Sequence, residues 1–571
     1  MRTSTTAQRS SRGPRVAIGL SLLAFAAVLA AAVYVPGWLA GSPQIHPVQA
    51  IDPQLAQLEQ ARTQAALVTT EDTRLLSQLR GIPWNGLPYR NREHGMHTLV
   101  LTARPAPYTL DSLLILKAAR RIDASTVALM NSVLIGPGAQ LILHAPGTTL
   151  RMISTPAGFT SIVGWKGAIS ITGAPDHPVT LTSWDPATGK SDQQVTDGRS
   201  YIRVAGSNLH THFAGFSDLG FWSGRTGGLA VTGNDSAPGT GSITETTVRA
   251  NHYGLFSSDT LGLTVADSTF DHAAADGILL HQGSTGTTIR TSTTRGNAGS
   301  GIVANRGASE VTLSNVTVEH NGADGIRFDG RPLAERPGAA GVSLDGQRGF
   351  RLQDSTVAVN AGNGVLVWDA DDTVVTGTEL VDNAEGVVVR DAANRTQISA
   401  NTVTSSAGAA IAVRDGATDV AVDRNIIAGA DTGVQVRAAR AQVHDNIISA
   451  ARVHGVSFQG AAQGSAAHGN TLAGSGPSGL DLARLDADAV AAVTVSNNSE
   501  EQWQVTKSLS DRLRWLFRDH PLLAMWALLL LSIVASLLGR RRRRRRWPAH
   551  PYPDHPLTAR SDTPVGPAAA Q

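Results

Sequence analysis

Cysteine is absent from all 571 residues, which excludes a disulfide framework, a thiolate metal site and a cysteine nucleophile. Charge is also sparse. Asp, Glu, Lys and Arg make up 16% of the chain and hydrophobic residues 42%, a balance that fits neither a disordered polyelectrolyte nor a polytopic membrane protein. The formal net charge of +2 is concentrated at the ends. Residues 1–15 hold four arginines and no acid, and residues 540–571 hold eight arginines and two aspartates, which leaves residues 16–539 at −8. The basic isoelectric point is therefore no argument for nucleic-acid binding, and no nucleic-acid partner is expected.

Two apolar runs frame the chain. Val16 to Val35 is uncharged and, at 20 residues, long enough to cross a bilayer core of about 30 Å. Arg2, Arg9, Arg12 and Arg15 precede it and hold its start in the cytoplasm. A cleaved signal peptide is the alternative, with small residues near Ala30 to Ala32 and Ala40 as the cleavage site. Leu522 to Leu538 forms a second span, followed at once by Arg540 to Arg546, a stop-transfer pattern whose partner is anionic headgroups. Both termini are then cytoplasmic and the intervening chain lies outside the cytoplasm, at the cell membrane. A polysaccharide synthase or export complex is a further candidate partner for the two spans.

Between the spans a short theme recurs from Asn251 onward: a turn, a small residue, then alternating apolar residues. Its segments start at Gly254, Gly277, Gly301, Gly325, Gly364, Gly386, Ala410, Gly433, Gly455 and Gly479, spaced 23, 24, 24, 39, 22, 24, 23, 22 and 24 residues apart. The outlier is one ordinary repeat plus the Pro-, Gly- and Arg-rich stretch Arg331 to Gln347. A period near 23 with short strands and no helical stretch predicts a parallel β-helix, one coil per repeat; the Leu-x-x-Leu-x-Leu spacing of leucine-rich repeats is missing. Halfway through the period, Asp267, Asn315, Asp354, Asn401, Asn425, Asn446 and Asn470 are expected to stack as a ladder inside the bends. Less regular coils are expected at Thr126 to Ile135, Gln140 to Leu143, Leu150 to Ile153 and Ala168 to Thr172. Residues 51–80 and 109–121 are expected to be helical and to cap the open first coil, and Ser510 to His520 to form a short amphipathic helix. The organisation is thus all-β with a short helical N-terminal region: cytoplasmic 1–15, span 16–35, linker and helical cap 36–121, parallel β-helix 122–498, juxtamembrane helix 499–520, span 521–539 and basic tail 540–571.

Alternation sends the first and third residues after each repeat glycine inward and the second and fourth outward. The inward set is apolar: Ile278 and Leu280, Ile302 and Ala304, Ile326 and Phe328, Val365 and Val367, Val387 and Val389, Ile411 and Val413. The fourth positions run Ser258, His281, Asn305, Asp329, Trp368, Arg390, Arg414, Arg437, Gln459, with Arg306, Arg327 and Asp369 beside them. Stacked at about 4.8 Å per rung, they form one lane, and its run of like charges repels unless an anion lies over it. A linear acidic polysaccharide advances by roughly one rung per sugar and is the expected partner. Abstracting the C5 hydrogen of a uronate needs a cation for the carboxylate and a base titrating near neutrality. Arg306 and His281 on adjacent coils supply both; Asn305, Arg327, Asp329, Trp368, Asp369, Arg390, Arg414 and Arg437 would bind substrate. Reprotonation on the opposite face gives an epimer, loss of the glycosidic oxygen a lyase product. A hydrolase would need a carboxyl pair, for which Asp329 and Asp369 are the candidates, and a silent glycan-binding scaffold could use the same lane. No cofactor and no resident metal are expected; Asp369, Asp371 and Asp372 fit a solvated turn better than a cation site.

Residues of about 120 to 480 resemble the periplasmic mannuronan C5-epimerases. The likeness rests on Asn251-His-Tyr-Gly-Leu-Phe, Asp276-Gly-Ile-Leu-Leu-His-Gln-Gly-Ser, Gly301-Ile-Val-Ala-Asn-Arg and Asp324-Gly-Ile-Arg-Phe-Asp in one order, and upstream on Gly198-Arg-Ser-Tyr-Ile through Phe216-Ser-Asp-Leu-Gly-Phe. The resemblance implies a right-handed parallel β-helix, action on alginate-type polymers, and a catalytic His and carboxylate-neutralising Arg at the positions of His281 and Arg306. Where that family has Asp-Pro before the His and Asp after it, this chain has Leu279, Leu280 and Gln282, and the Gly-Gly-x-Gly-x-Asp repeats of calcium-using relatives are absent.

Overall fold

The computed structural model describes residues 53–79, 86–93, 96–331 and 347–506. Both apolar spans, both termini and the Ser510 to His520 helix lie outside these residues. Among the described residues no helix is long and apolar enough to cross a membrane.

The repeats become coils of a solenoid. One strand of each coil joins a 16-stranded sheet, and the remaining strands pair into a 31-stranded sheet around the other faces. Every repeat spacing is a parallel pairing register: Leu255 opposes Ile278, Ile278 opposes Ile302, and Ile302 opposes Ile326. The 39-residue spacing is no different, since Ile326 opposes Val365; the extra residues 332–346 lie outside the described set. Pairing also reaches past 122–498 on both sides. Met96–Leu101 runs parallel to Ser132–Ile135, and Ser499–Val505, expected to begin a helix, is instead a strand parallel to Thr471–Gly476. An open strand edge at the last coil takes up whatever extended chain follows it, and Trp503 is buried there.

All twelve inward residues named above are fully buried and belong to one continuous core. Parallel rungs put like over like, so an aliphatic column stacks on itself along the whole solenoid. The repeat glycine follows from the same closeness rather than from φ. A Cβ on Gly254 would sit 2.2 Å from the carbonyl oxygen of Gly277, and one on Gly386 2.4 Å from that of Ala410.

The bends carry two amide ladders. One, expected, joins Asn401, Asn425, Asn446 and Asn470 and extends to Asn498, each amide nitrogen donating to the next amide oxygen at 2.8–3.0 Å. Asp267, Asn315 and Asp354 are not in it. They lie one residue earlier, at the left-handed turn position (φ 50–51°), which Asn and Asp adopt with least strain. The second ladder was not anticipated: Asn297, Asn321, Asn360 and Asn383 bond in series at the bend before the repeat glycine.

The N-terminal region divides its work. The helix expected over 109–121 spans only Leu110–Ile115, N-capped by Thr109. Lys117 at φ 54° breaks it, and Ala119–Arg121 continues as a strand. Leu113 enters the main core, so this short helix packs against the first strands of the solenoid. The long helix Pro53–Leu79 does something else: from Leu67 onward it lies on the outward face of the 16-stranded sheet. Leu67, Val68, Leu75 and Leu79 pack on Val100, Leu134, Val163 and Tyr201. Beneath it Arg74 is clamped by Glu71 (2.6 Å) and donates to Thr98 and Ser161 (2.7 and 3.0 Å), which satisfies a buried charge that would otherwise be costly.

The ladder makes a measurable contribution. Asn446→Ala should strip acceptors from the buried backbone and side-chain N–H groups of Asn425, at about 1–3 kcal/mol for the groups left unpaired. Hydrogen exchange should show the lost protection confined to the neighbouring coils, as nearest-neighbour stability requires.

Candidate active site

The fourth outward positions stack as one column. Ser258 opposes His281, Asn305 opposes Asp329, Asp329 opposes Trp368, and Trp368, Arg390, Arg414, Arg437 and Gln459 follow in register. His281 and Asn305 are joined directly, imidazole Nδ1 to amide Oδ1, at 2.7 Å. An amide oxygen only accepts, so Nδ1 carries the proton and Nε2 is left as a bare acceptor.

The second outward positions form an apolar floor that sequence reading missed. Phe256, Leu279 and Val303 are less than a tenth exposed and cluster with Ala230 and Tyr253; Leu366, Val388 and Ala412 make a similar patch beside Trp368. Leu279 and Leu280, two of the three departures from the epimerase pattern, therefore have separate roles. Leu280 is core, and Leu279 is floor beside the histidine. The Phe256 ring lies 5.7 Å from that of His281. Burial against this surface, helped by the positive charge of Arg306 and opposed by the bond to Asn305, pushes the His281 pKa below its ordinary value. The imidazole is thus neutral, and a base, at neutral pH.

The lane is not the bare row of guanidiniums that the sequence suggested. Arg327 pairs with Asp324 at 2.6 Å, and Arg331, just past the strand, pairs with Asp329 at 2.6 Å. Arg390 pairs with Asp391 (2.9 Å), Arg437 with Asp415 (3.1 Å) and Arg414 with Glu385. Arg331 and Arg390 also stack on the Trp368 ring, at 3.4 and 4.7 Å, which occupies the aromatic surface a sugar would use. Their mutual repulsion is thereby offset within the protein, and no bound anion is needed to explain it. Asp369 has its pKa raised by burial and by neighbouring Asp391, Asp371 and Asp329. Arg306 differs from its neighbours. It is exposed, stands next to Asn305, and forms no ion pair among the described residues.

Upstream, burial raises the Tyr253 pKa, with Asp276 adding to it, and lowers that of His252 to about 4, helped by Arg199. Asp371 and Asp372 are held by Arg395 (3.2 and 2.6 Å), in keeping with a solvated turn. The one group among the described residues able to hold a metal ion is His444, Asp445 and His468, on the other sheet, where the two imidazoles stack at 4.8 Å.

A model described as right handed beta helix region matches residues 207–332 and 340–499. Among solved structures, the periplasmic alginate epimerase AlgG superposes with a TM-score of 0.52 at 12% identity, covering 80% of this chain and 99% of that one. The A-module of Azotobacter vinelandii mannuronan C-5 epimerase AlgE6 covers 65% of this chain and 91% of its own, with a TM-score of 0.36 at 15% identity. No curated protein matches. At such identities the likeness to AlgG is one of fold.

The Arg306 influence on the imidazole is directly testable. Arg306→Ala should raise the His281 pKa toward 6.5, the ordinary histidine value, because a nearby positive charge is removed. A histidine NMR titration of the two proteins reads the shift.

Proposed function

The chain belongs to the right handed beta helix family, and on that scaffold we propose that it modifies a uronate-containing polysaccharide by abstracting the C5 proton, acting as a C5-epimerase. The observation that carries this reading is a neutral imidazole, fixed through Nδ1 by Asn305, next to the one arginine of the lane free of a carboxylate partner among the described residues. Arg306 would neutralise the substrate carboxylate and hold the enolate charge as it develops. His281 Nε2 would take the C5 proton, and its electron pair would move into the carboxylate system. A proton returned to the opposite face yields the epimer; expulsion of the C4 oxygen instead yields an unsaturated chain end. Tyr253 or water would return that proton. AlgG, which shares the fold, is an alginate epimerase, and a uronate polymer of that kind agrees with this chemistry.

The alternatives stand differently. Hydrolysis through Asp329 and Asp369 is disfavoured because both oxygens of Asp329 are engaged by Arg331. A non-catalytic glycan-binding role is favoured by the loss of both motif carboxylates, at Leu279 and Gln282, and opposed by the retained His281 and Arg306. In the proposed arrangement the runs at 16–35 and 521–539 tether the β-helix outside the cytoplasm, within reach of a polymer synthase or export complex.

Incubation of the purified protein with polymannuronate in heavy water tests the proposal. Deuterium at C5 without chain cleavage supports epimerisation, an unsaturated end marks a lyase, and new reducing ends mark a hydrolase. Binding without exchange leaves only the scaffold. His281→Ala should cost about 10²–10⁴ in rate with binding largely retained, whereas Arg306→Ala should weaken both. Because the His281 pKa is lowered, its base form persists below pH 6.5, so the acid limb of kcat/KM should fall on the acidic side of that value.

A further inference from the structure

The electrostatics of the lane bear on which uronate polymer it takes. The residue after the fourth strand position is left-handed in coil after coil: Asp259, Arg306, Asp369, Asp391 and Asp415 all have φ between 50° and 57°. Aspartate suits this conformation because its short carboxylate bonds locally. The outcome is a column of carboxylates running beside the column of guanidiniums. Asp415 reaches both Arg437, at 3.1 Å, and Arg390, at 3.7 Å. Asp391, Glu385, Asp329 and Asp324 match the others. Arg306 occupies the slot that aspartate fills at 259, 369, 391 and 415, and that Gln282, Gly330, Ala438 and Gly460 fill in the remaining coils; it alone puts a positive charge there, exposed and unpaired among the described residues.

Resting on the epimerase-type reading above, we propose that the preferred substrate is a heteropolymer in which the reacting uronate is flanked by uncharged sugars, not a polymer charged at every unit. A substrate carboxylate arriving at Arg390, Arg414 or Arg437 meets a guanidinium already matched by an acid, so attraction to one is cancelled by repulsion from the other. A sugar hydroxyl meets no such conflict, because the paired groups offer it both acceptors and donors. Only at Arg306, beside His281, is a positive charge left for the ligand.

The test uses the full chain and three forms of one polymer: polymannuronate, the same polymer with a fraction of its carboxyls reduced to primary alcohols, and the fully reduced polymer. Calorimetry at low and high salt should show the partly reduced form binding at least as tightly as the native one, with weak salt dependence, and the fully reduced form losing most affinity. Asp391→Asn combined with Asp415→Asn unmasks guanidiniums, and should raise affinity for the fully charged polymer about tenfold, or about 1.4 kcal/mol. Affinity that drops steadily with every carboxyl removed, is steeply salt-dependent and is unchanged in the double variant would overturn the proposal. Relative affinity decides this whether or not C5 exchange takes place. The expected binding pattern without exchange sinks the enzymatic reading alone, and no binding to any form overturns both.

Discussion

The structure depends on one constraint, the fixed spacing between rungs of a parallel sheet. At about 4.8 Å, every residue is held against its counterpart one coil away, and each inward or bend position becomes a column with a single character. Inward columns must be apolar and of matched width. Bend columns must satisfy their own polar groups, which the asparagine ladders do by bonding amide to amide. The repeat glycine is imposed by the same spacing, because the next coil's carbonyl stands where a Cβ would go.

The histidine gains its chemistry from this regularity. A side chain on an exposed strand position would ordinarily titrate near its solution value. Here Phe256, Leu279 and Val303 build an apolar surface around it, while Asn305, one rung on, orients the ring. Leucine in place of the acidic residue of the related motif removes a charge that would have raised the imidazole pKa and adds the desolvation that lowers it.

Much of this was legible in the sequence, and the limits have physical causes. Periodicity carried the coils, their register and the inward set, because burial repeats with the backbone. The fourth-position lane was legible for the same reason. Its ion pairs were not, since the matching acids sit in a different column: Asp391 and Asp415 follow the strands, and Glu385 precedes one. The ladder was displaced by one residue at Asp267, Asn315 and Asp354, where a polar residue that tolerates positive φ resembles one that bonds across a bend. The floor was missed because alternation sends Leu279 and Val303 outward but does not say that Phe256, Leu279 and Val303 bury one another on that outer face. The position of the long helix was likewise invisible: its apolar residues fit an end cap as well as a sheet face.

That helix gives the lane a closed side. It occupies the outward surface up to the strand Tyr201–Ala205, three rungs before the one that bears His281. At about 4.8 Å per rung that is roughly 14 Å, part of it covered by the short helix Gly224–Thr226, whose Gly224 sits against the Phe256 ring, whereas eight further strands run in the other direction, from Ile302–Asn305 to Ser478–Leu485. A long chain lying along the lane therefore cannot pass straight through. The proposed polymer would have to end, or lift away from the protein, close to the imidazole on that side, and this asymmetry would give it a fixed polarity.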